Sequence, residues 1–176
     1  MQKLLNKRRF LYTVILLIIA TIAVCVVSIL FAPTPVYAAK SDFAAGKGTK
    51  DDPFLVSNVK EFNAIASRLD AYFVQTEDID FTGEVFYPIG DLTHPFTGHY
   101  SGKFNGKQSI ITGINADFSN RNNVGVFSYI YVGAVVEDIR IENSTFIGHQ
   151  SVGSVAGINA GKIERAVVKT KVVSDN

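Results

Sequence analysis

The sequence predicts a mainly β chain: a right-handed parallel β-helix with one N-terminal capping α-helix, preceded by an export segment. Three observations carry that reading. First, a stretch nearly repeats itself. Val124-Gly125-Val126-Phe127 leads to Glu137-Asp138-Ile139-Arg140-Ile141, and Val152-Gly153-Ser154-Val155 leads to Glu164-Arg165-Ala166-Val167-Val168. Val124 and Val152 are 28 residues apart, and Glu137 and Glu164 are 27 apart. Periods of that size belong to stacked-unit folds, in which each unit buries its apolar face against its neighbours. Second, Val, Ile and Phe fall at alternate positions within the repeats, the period of a half-buried strand. Third, glycines punctuate these short strands. A propeller blade would need about 40 residues, and a leucine-rich repeat would need a leucine ladder, whereas no leucine follows Leu92.

The chain opens on Lys3, Lys7, Arg8 and Arg9 and then has no charged residue from Phe10 to Ala32. Pro33 and Pro35 break a helix there, and Val36-Tyr37-Ala38 has the residue sizes that a signal peptidase reads. Residues 1–38 are expected to be a signal peptide, cleaved after Ala38 or Ala39, or an uncleaved signal anchor. As a helix, the apolar run of about 22 residues would reach about 33 Å, enough to cross a bilayer. Membrane contact is therefore expected only through residues 10–32, if they stay uncleaved. Cys25, the one cysteine, lies in that run, so the remainder has neither a disulfide framework nor a thiolate metal site. Four of the 17 basic residues and none of the 16 acidic ones precede Ala39, leaving a formal charge of −3 on the rest. No basic stripe for nucleic acid results.

Residues 39–50, rich in Ala, Gly, Lys and Ser, read as a flexible leader, and residues 51–176 as the N-terminal part of a β-helix. Phe54-Leu55-Val56 is its first strand. Asn58 is an N-cap with Glu61 at capping-box spacing, and Val59, Phe62, Ile65, Ala66 and Leu69 share one helical face. A lone amphipathic helix has to bury its stripe, and the open end of a strand stack offers the place. Tyr72-Phe73-Val74, the Ile79/Phe81 alternation and Val85 to Gly90 follow as strand and turn units. Phe96, Tyr100 and Phe104 recur every four residues, each with a glycine two positions on. They read as rungs, with the glycines at positive-φ corners and with Phe104 and Phe127 buried. The clear repeats cover about 122–149 and 150–176. Asn176 falls in mid-rung without a polar cap, so the chain is expected to be the N-terminal piece of something longer or a truncated gene product.

Catalytic and metal motifs are sparse. Gly46-x-Gly48 lacks the following Lys-Ser/Thr of a phosphate loop. His94, His99 and His149 form no His-Glu-x-x-His pair, so they read as surface histidines. Glu77, Asp78 and Asp80 lack the six to eight oxygens of a calcium cage and read as a solvated turn. Glu137, Asp138, Glu142 and Glu164 have the composition of a glycosidase pair, but Glu137 and Glu164 occupy matching repeat positions and so line one outer face. There is no Gly-x-Ser-x-Gly elbow. Asn143-Ser144-Thr145 fits an N-glycosylation acceptor. No catalytic residue, metal ligand or cofactor is therefore assigned. Tyr87, Tyr100, Tyr129 and Tyr131 are candidates for stacking on sugars if exposed, and strand parity puts Tyr129 and Tyr131 on one face.

Val-Gly-x-Phe/Val, a glycine, then Ile/Val-Glu-x-Ile/Ala-x-Ile/Val resembles the GLUG-motif repeats of bacterial surface proteins. These include filamentous-haemagglutinin-like adhesins and the N-terminal parts of immunoglobulin A1 metallopeptidases. Gly48-Thr49 through Val56 resembles their opening strand and Asn58 to Leu69 their cap. The Asp78-Ile79-Asp80-Phe81, Pro88-Ile89-Gly90, Phe96-Thr97-Gly98 and Phe104-Asn105-Gly106 segments resemble their first rungs. The resemblance covers about residues 46–173. Ser154 and Ala156 depart from it, standing where the family carries a larger apolar residue or glycine. It implies an exported, non-catalytic module at the cell surface or outside the cell, a stalk or contact surface for a host or cell-surface protein or glycan. The alternative it implies is the non-catalytic N-terminal region of a secreted zinc metallopeptidase whose catalytic domain lies elsewhere.

Overall fold

A computed structural model of the chain describes residues 42–175; the expected export segment, its cleavage site and Cys25 lie outside these. The described residues form a parallel β-solenoid of about four turns with a single short α-helix. One sheet stacks β1 (Phe54–Val56), β2 (Tyr72–Gln75), β4 (His99–Ser101), β10 (Val135–Glu137) and β13 (Lys162–Glu164), all parallel. A second stacks β3 (Ile79–Asp80), β7 (Ile111–Thr112), β11 (Arg140–Gly148) and β14 (Val167–Ser174), with β8 (Asn115–Phe118) also on β11. The third side pairs β9 (Phe127–Ile130) with β12 (Ala156–Asn159), and Ile89 and Phe96 bridge to β9 from the turn above.

The sequence period becomes register. Val124 bridges Val152, and Glu137 faces Glu164. Side chains therefore stack in columns that run through the core. One column is Phe54, Phe73, Tyr100, Val136 and Ile163; another is Ile79, Ile111, Ile141 and Val168. Aromatic rings fill the upper turns, with Phe96 and Phe127 centroids 4.8 Å apart and Tyr100 and Phe127 5.9 Å apart. At the last turn the second column ends on Val168, 47% exposed, and Val172, stacked on Phe146, is 43% exposed.

Four expectations need correction. The leader is not free, since Phe43 is buried and stacks on Phe54 at 4.4 Å. The Tyr72 amide donates to Gly48 O and the Leu55 amide to Ala45 O, which ties residues 45–48 onto the first strands. The helix is shorter than expected: α1 covers Val59–Ala64, and Ile65–Ser67 tighten into a 3₁₀ turn. Phe104 is 37% exposed, because β5 (Lys103–Phe104) and β6 (Lys107–Gln108) form an antiparallel hairpin that leaves the stack. Its turn is Asn105-Gly106 with φ of 49° and 83°, a two-residue turn whose twist matches a hairpin. Gly98 and Gly102 also serve differently from expectation. Neither has positive φ; a Cβ would lie 2.1 Å from Ala71 O at Gly98 and 2.4 Å from Asp138 O at Gly102. They are small because neighbouring turns press against them. Asp138 and Arg165, at matching positions, are among the positive-φ corners.

Asn58 caps α1 as expected, its Oδ1 accepting from the Glu61 amide at 3.0 Å. The reciprocal bond of a capping box is replaced. The buried Glu61 carboxylate accepts from the Ser57 amide (2.8 Å), the Ser57 hydroxyl (2.9 Å) and the Ala44 amide (3.0 Å). Burial pushes its pKa up, but these donors outweigh burial and hold it below the ordinary 4.5. A carboxyl with a depressed folded pKa adds stability above its unfolded pKa and loses it as pH falls through the folded value. Unfolding midpoints measured below pH 4.5 should therefore decline more steeply in the native chain than in Glu61→Gln; parallel profiles would refute this role.

Candidate functional site

The solenoid has two polar surfaces with organised chemistry. The first is the outer face of the β1-β2-β4-β10-β13 sheet. Tyr72 stacks on His99 with centroids 5.4 Å apart, as their cross-strand register dictates. His99 Nε2 lies 2.9 Å from Glu137 Oε1 one turn on, and Arg165 bonds Glu137 and Asp138 across the next. Arg165 and then burial act on Asp138, for a net lowering of its pKa; Lys162 is the first cause that lowers that of Glu164. Glu142 is held low first by Arg140. A general acid needs its pKa raised, as burial among apolar groups would do. Glu137 and Glu164 sit in register on this sheet, as their matching repeat positions predicted, and both are ion-paired; Asp138 at the corner and Glu142 on β11 of the second sheet are ion-paired as well.

The Glu77-Asp78-Asp80 turn is similarly committed. Asp78 accepts from the Ile110 amide, and Asp80 from the Thr82 amide and hydroxyl. Among the described residues no group of three His, Cys, Asp or Glu side chains is placed to hold a metal ion.

The second surface is a groove built by two loops. One loop, residues 90–95, is inserted between the Ile89 and Phe96 bridges to β9. Asp91 Oδ1 shapes it by accepting from the Thr93 amide, the Thr93 hydroxyl and the His94 amide, each at 2.7 Å. The Thr93 hydroxyl first, then the His94 and Thr93 amides, hold the Asp91 carboxyl down to about 2. Thr93 Oγ1 also sits 3.0 Å from His94 Nδ1. The other loop is the corner Arg121–Asn123. Its guanidinium lies over the Phe118 ring at 5.3 Å, while the Arg121 amide donates to Phe118 O and the His149 amide donates to Arg121 O. Arg140 and Arg165 are ion-paired, but Arg121 has no acidic partner among the described residues.

Two adjoining depressions share Asp91 and Arg121. One, of about 340 Å³, is lined further by Leu92, Thr93, Asn122, Asn123 and Ser128. The other, of about 330 Å³, is lined by Tyr87, Leu69, Pro88 and His94 among others. Both are open to solvent.

The tyrosines named from the sequence separate. Tyr87 is 58% exposed and lines the groove. Tyr131 is 46% exposed and meets the half-buried Tyr129 edge to face at 5.8 Å, and neither lines the two depressions. Tyr100, contrary to expectation, cannot stack on a sugar, because it is fully buried with its hydroxyl bonded to Gln75. Asp91, Thr93 and Arg121 were missed. The Asp-x-Thr spacing is a local turn signature that could have marked the loop; nothing in the sequence marked Arg121 as unpaired.

No protein-family model matches the chain, and no solved structure matches it significantly. The chain is similar to halomucin of Haloquadratum walsbyi, with 29% identity over 142 residues, 74% of this chain and 2% of halomucin. It is also similar to a chain described as a Gly-rich membrane protein of Evansella cellulosilytica, with 29% identity over 162 residues, 83% of this chain and 18% of that one. It thus spans a small part of each relative's length.

Proposed function

We propose that this chain is an exported, non-catalytic β-solenoid module of the GLUG type, displayed at the cell surface or released, that makes contact with surface or host material. The observation that carries the reading is the in-register stack itself. A solenoid extends by adding turns and presents a long flank of ladders, which suits a stalk or contact surface. Two further points support it. The basic and apolar front end has the pattern of an export signal, and one relative carries the description of a membrane protein. The ion pairs of Glu137, Asp138 and Glu164 favour a structural over a catalytic role.

Protease shaving of intact cells that produce the tagged full chain tests export. Loss of the solenoid from intact cells, or its recovery from the culture medium, with a cytoplasmic marker spared, is the expected result. Protection until the membrane is breached would overturn the proposal.

A further inference from the structure

We propose that the Asp91–Arg121 groove binds neutral pyranose rings of a glycan chain, one ring in each of its two depressions. This deepens the contact-surface reading and rests on it.

Charge comes first. One wall carries a carboxylate and the other a guanidinium without an acidic partner among the described residues. An anionic ligand would face Asp91, and a cationic one would face Arg121. A neutral ligand that both donates and accepts satisfies the two together, and vicinal sugar hydroxyls do this. Asp91 is suited to accept. Its Oδ1 is saturated by Thr93 and His94, so Oδ2 is left for a ligand hydroxyl. The Arg121 fork supplies parallel donors, and the Asn122 amide both donates and accepts.

Shape comes second. Tyr87 stands 58% exposed on the wall of one depression. A pyranose has an apolar C–H face, and an aromatic ring with a polar tip covers such a face. Because Asp91 and Arg121 belong to both depressions, a chain of at least two rings would pass between them.

Preorganisation comes third. Both walls are held by their own loops before any ligand arrives, the first by three bonds to Asp91 and the second by Phe118 and two backbone bonds. Groups already ordered lose less freedom on binding.

The test uses the full chain in a detergent without a sugar headgroup. It is measured against immobilised neutral gluco-, manno-, galacto- and xylo-oligosaccharides and against sialylated and sulfated counterparts. Binding to at least one neutral oligosaccharide is expected. Tyr87→Ala and Arg121→Ala should each weaken it by about tenfold or more, the size of a lost charge-assisted bond or buried ring. Lys107→Ala, on the exposed hairpin, should leave it unchanged. Tyr87 is exposed, so its variant keeps the fold, which its unfolding midpoint verifies. Undiminished binding by both groove variants would overturn the groove assignment while leaving the glycan-contact reading intact. Binding confined to the anionic panel would overturn the neutral-ligand claim. No glycan binding at all would overturn this inference, with the surface reading judged separately by protease shaving.

Discussion

Replacing Phe127 by alanine should lower the stability of the solenoid by about 3–5 kcal/mol, the cost of emptying an aromatic site in a packed core. Phe127 is fully buried, and its ring meets Phe96 on one side and Tyr100 on the other. Its backbone also pairs with Ile89 above and Ala156 below. The site therefore joins three successive turns, and neighbours held by ladder bonds cannot collapse freely into the void. A single domain is stable by only about 5–15 kcal/mol, so this loss is a large fraction of the total. Phe104→Ala is the matched control. That ring stands 37% exposed on the protruding hairpin, and its loss should cost about 1 kcal/mol or less. Urea unfolding followed by circular dichroism separates the two. A midpoint unchanged in Phe127→Ala, or shifted equally in both variants, would contradict the assignment of core and hairpin.

The contrast between these two phenylalanines shows how far the sequence was legible. Spacing alone puts Val124 over Val152 and Glu137 over Glu164, because stacking in a solenoid converts sequence period directly into contact. The same logic breaks where the chain departs from the coil. Phe104 keeps the four-residue beat of Phe96 and Tyr100, yet Asn105-Gly106 folds locally into a hairpin. A strong local turn overrides a weak periodicity there, and the Asn-Gly dipeptide was the signal to weigh. Phe43 was hidden for the opposite reason. Its neighbours are small and polar, and only the tertiary stack supplies the Phe54 and Phe73 rings that hold it. Tyr100 was readable both as a rung and, if exposed, as a stacking group; it is a rung, because the buried Gln75 satisfies its polar tip. The groove was the least legible feature. It is assembled from a loop near residue 92 and a corner near residue 122, which only the bridges from Ile89 and Phe96 to β9 bring together.

Gln75→Leu should cost about 2–4 kcal/mol despite its similar size, because it removes three hydrogen bonds and strands the buried Tyr100 hydroxyl. Gln75 sits at the end of β2 with no exposed surface. Its Nε2 donates to Glu77 O at 2.8 Å and to Ile110 O at 3.1 Å, while its Oε1 accepts from the Tyr100 hydroxyl at 2.5 Å. One side chain thus connects its own corner, the next turn of the first sheet and the approach to the second. Ile110 O retains the Ile79 amide and Glu77 is exposed to water, so the heaviest loss falls on the Tyr100 hydroxyl. The phenol is the more telling partner: burial pushes its pKa above the ordinary value, so it can contribute only as a neutral hydroxyl. Tyr100→Phe removes that hydroxyl and leaves the Gln75 oxygen unpaired, for an expected loss of about 1–3 kcal/mol. If the two groups act through one bond, the double variant Gln75→Leu/Tyr100→Phe should be less destabilised than the sum of the singles by about 1 kcal/mol or more. Additive losses would mean that Gln75 supports the corner alone and that the turns are held together by packing without this polar link.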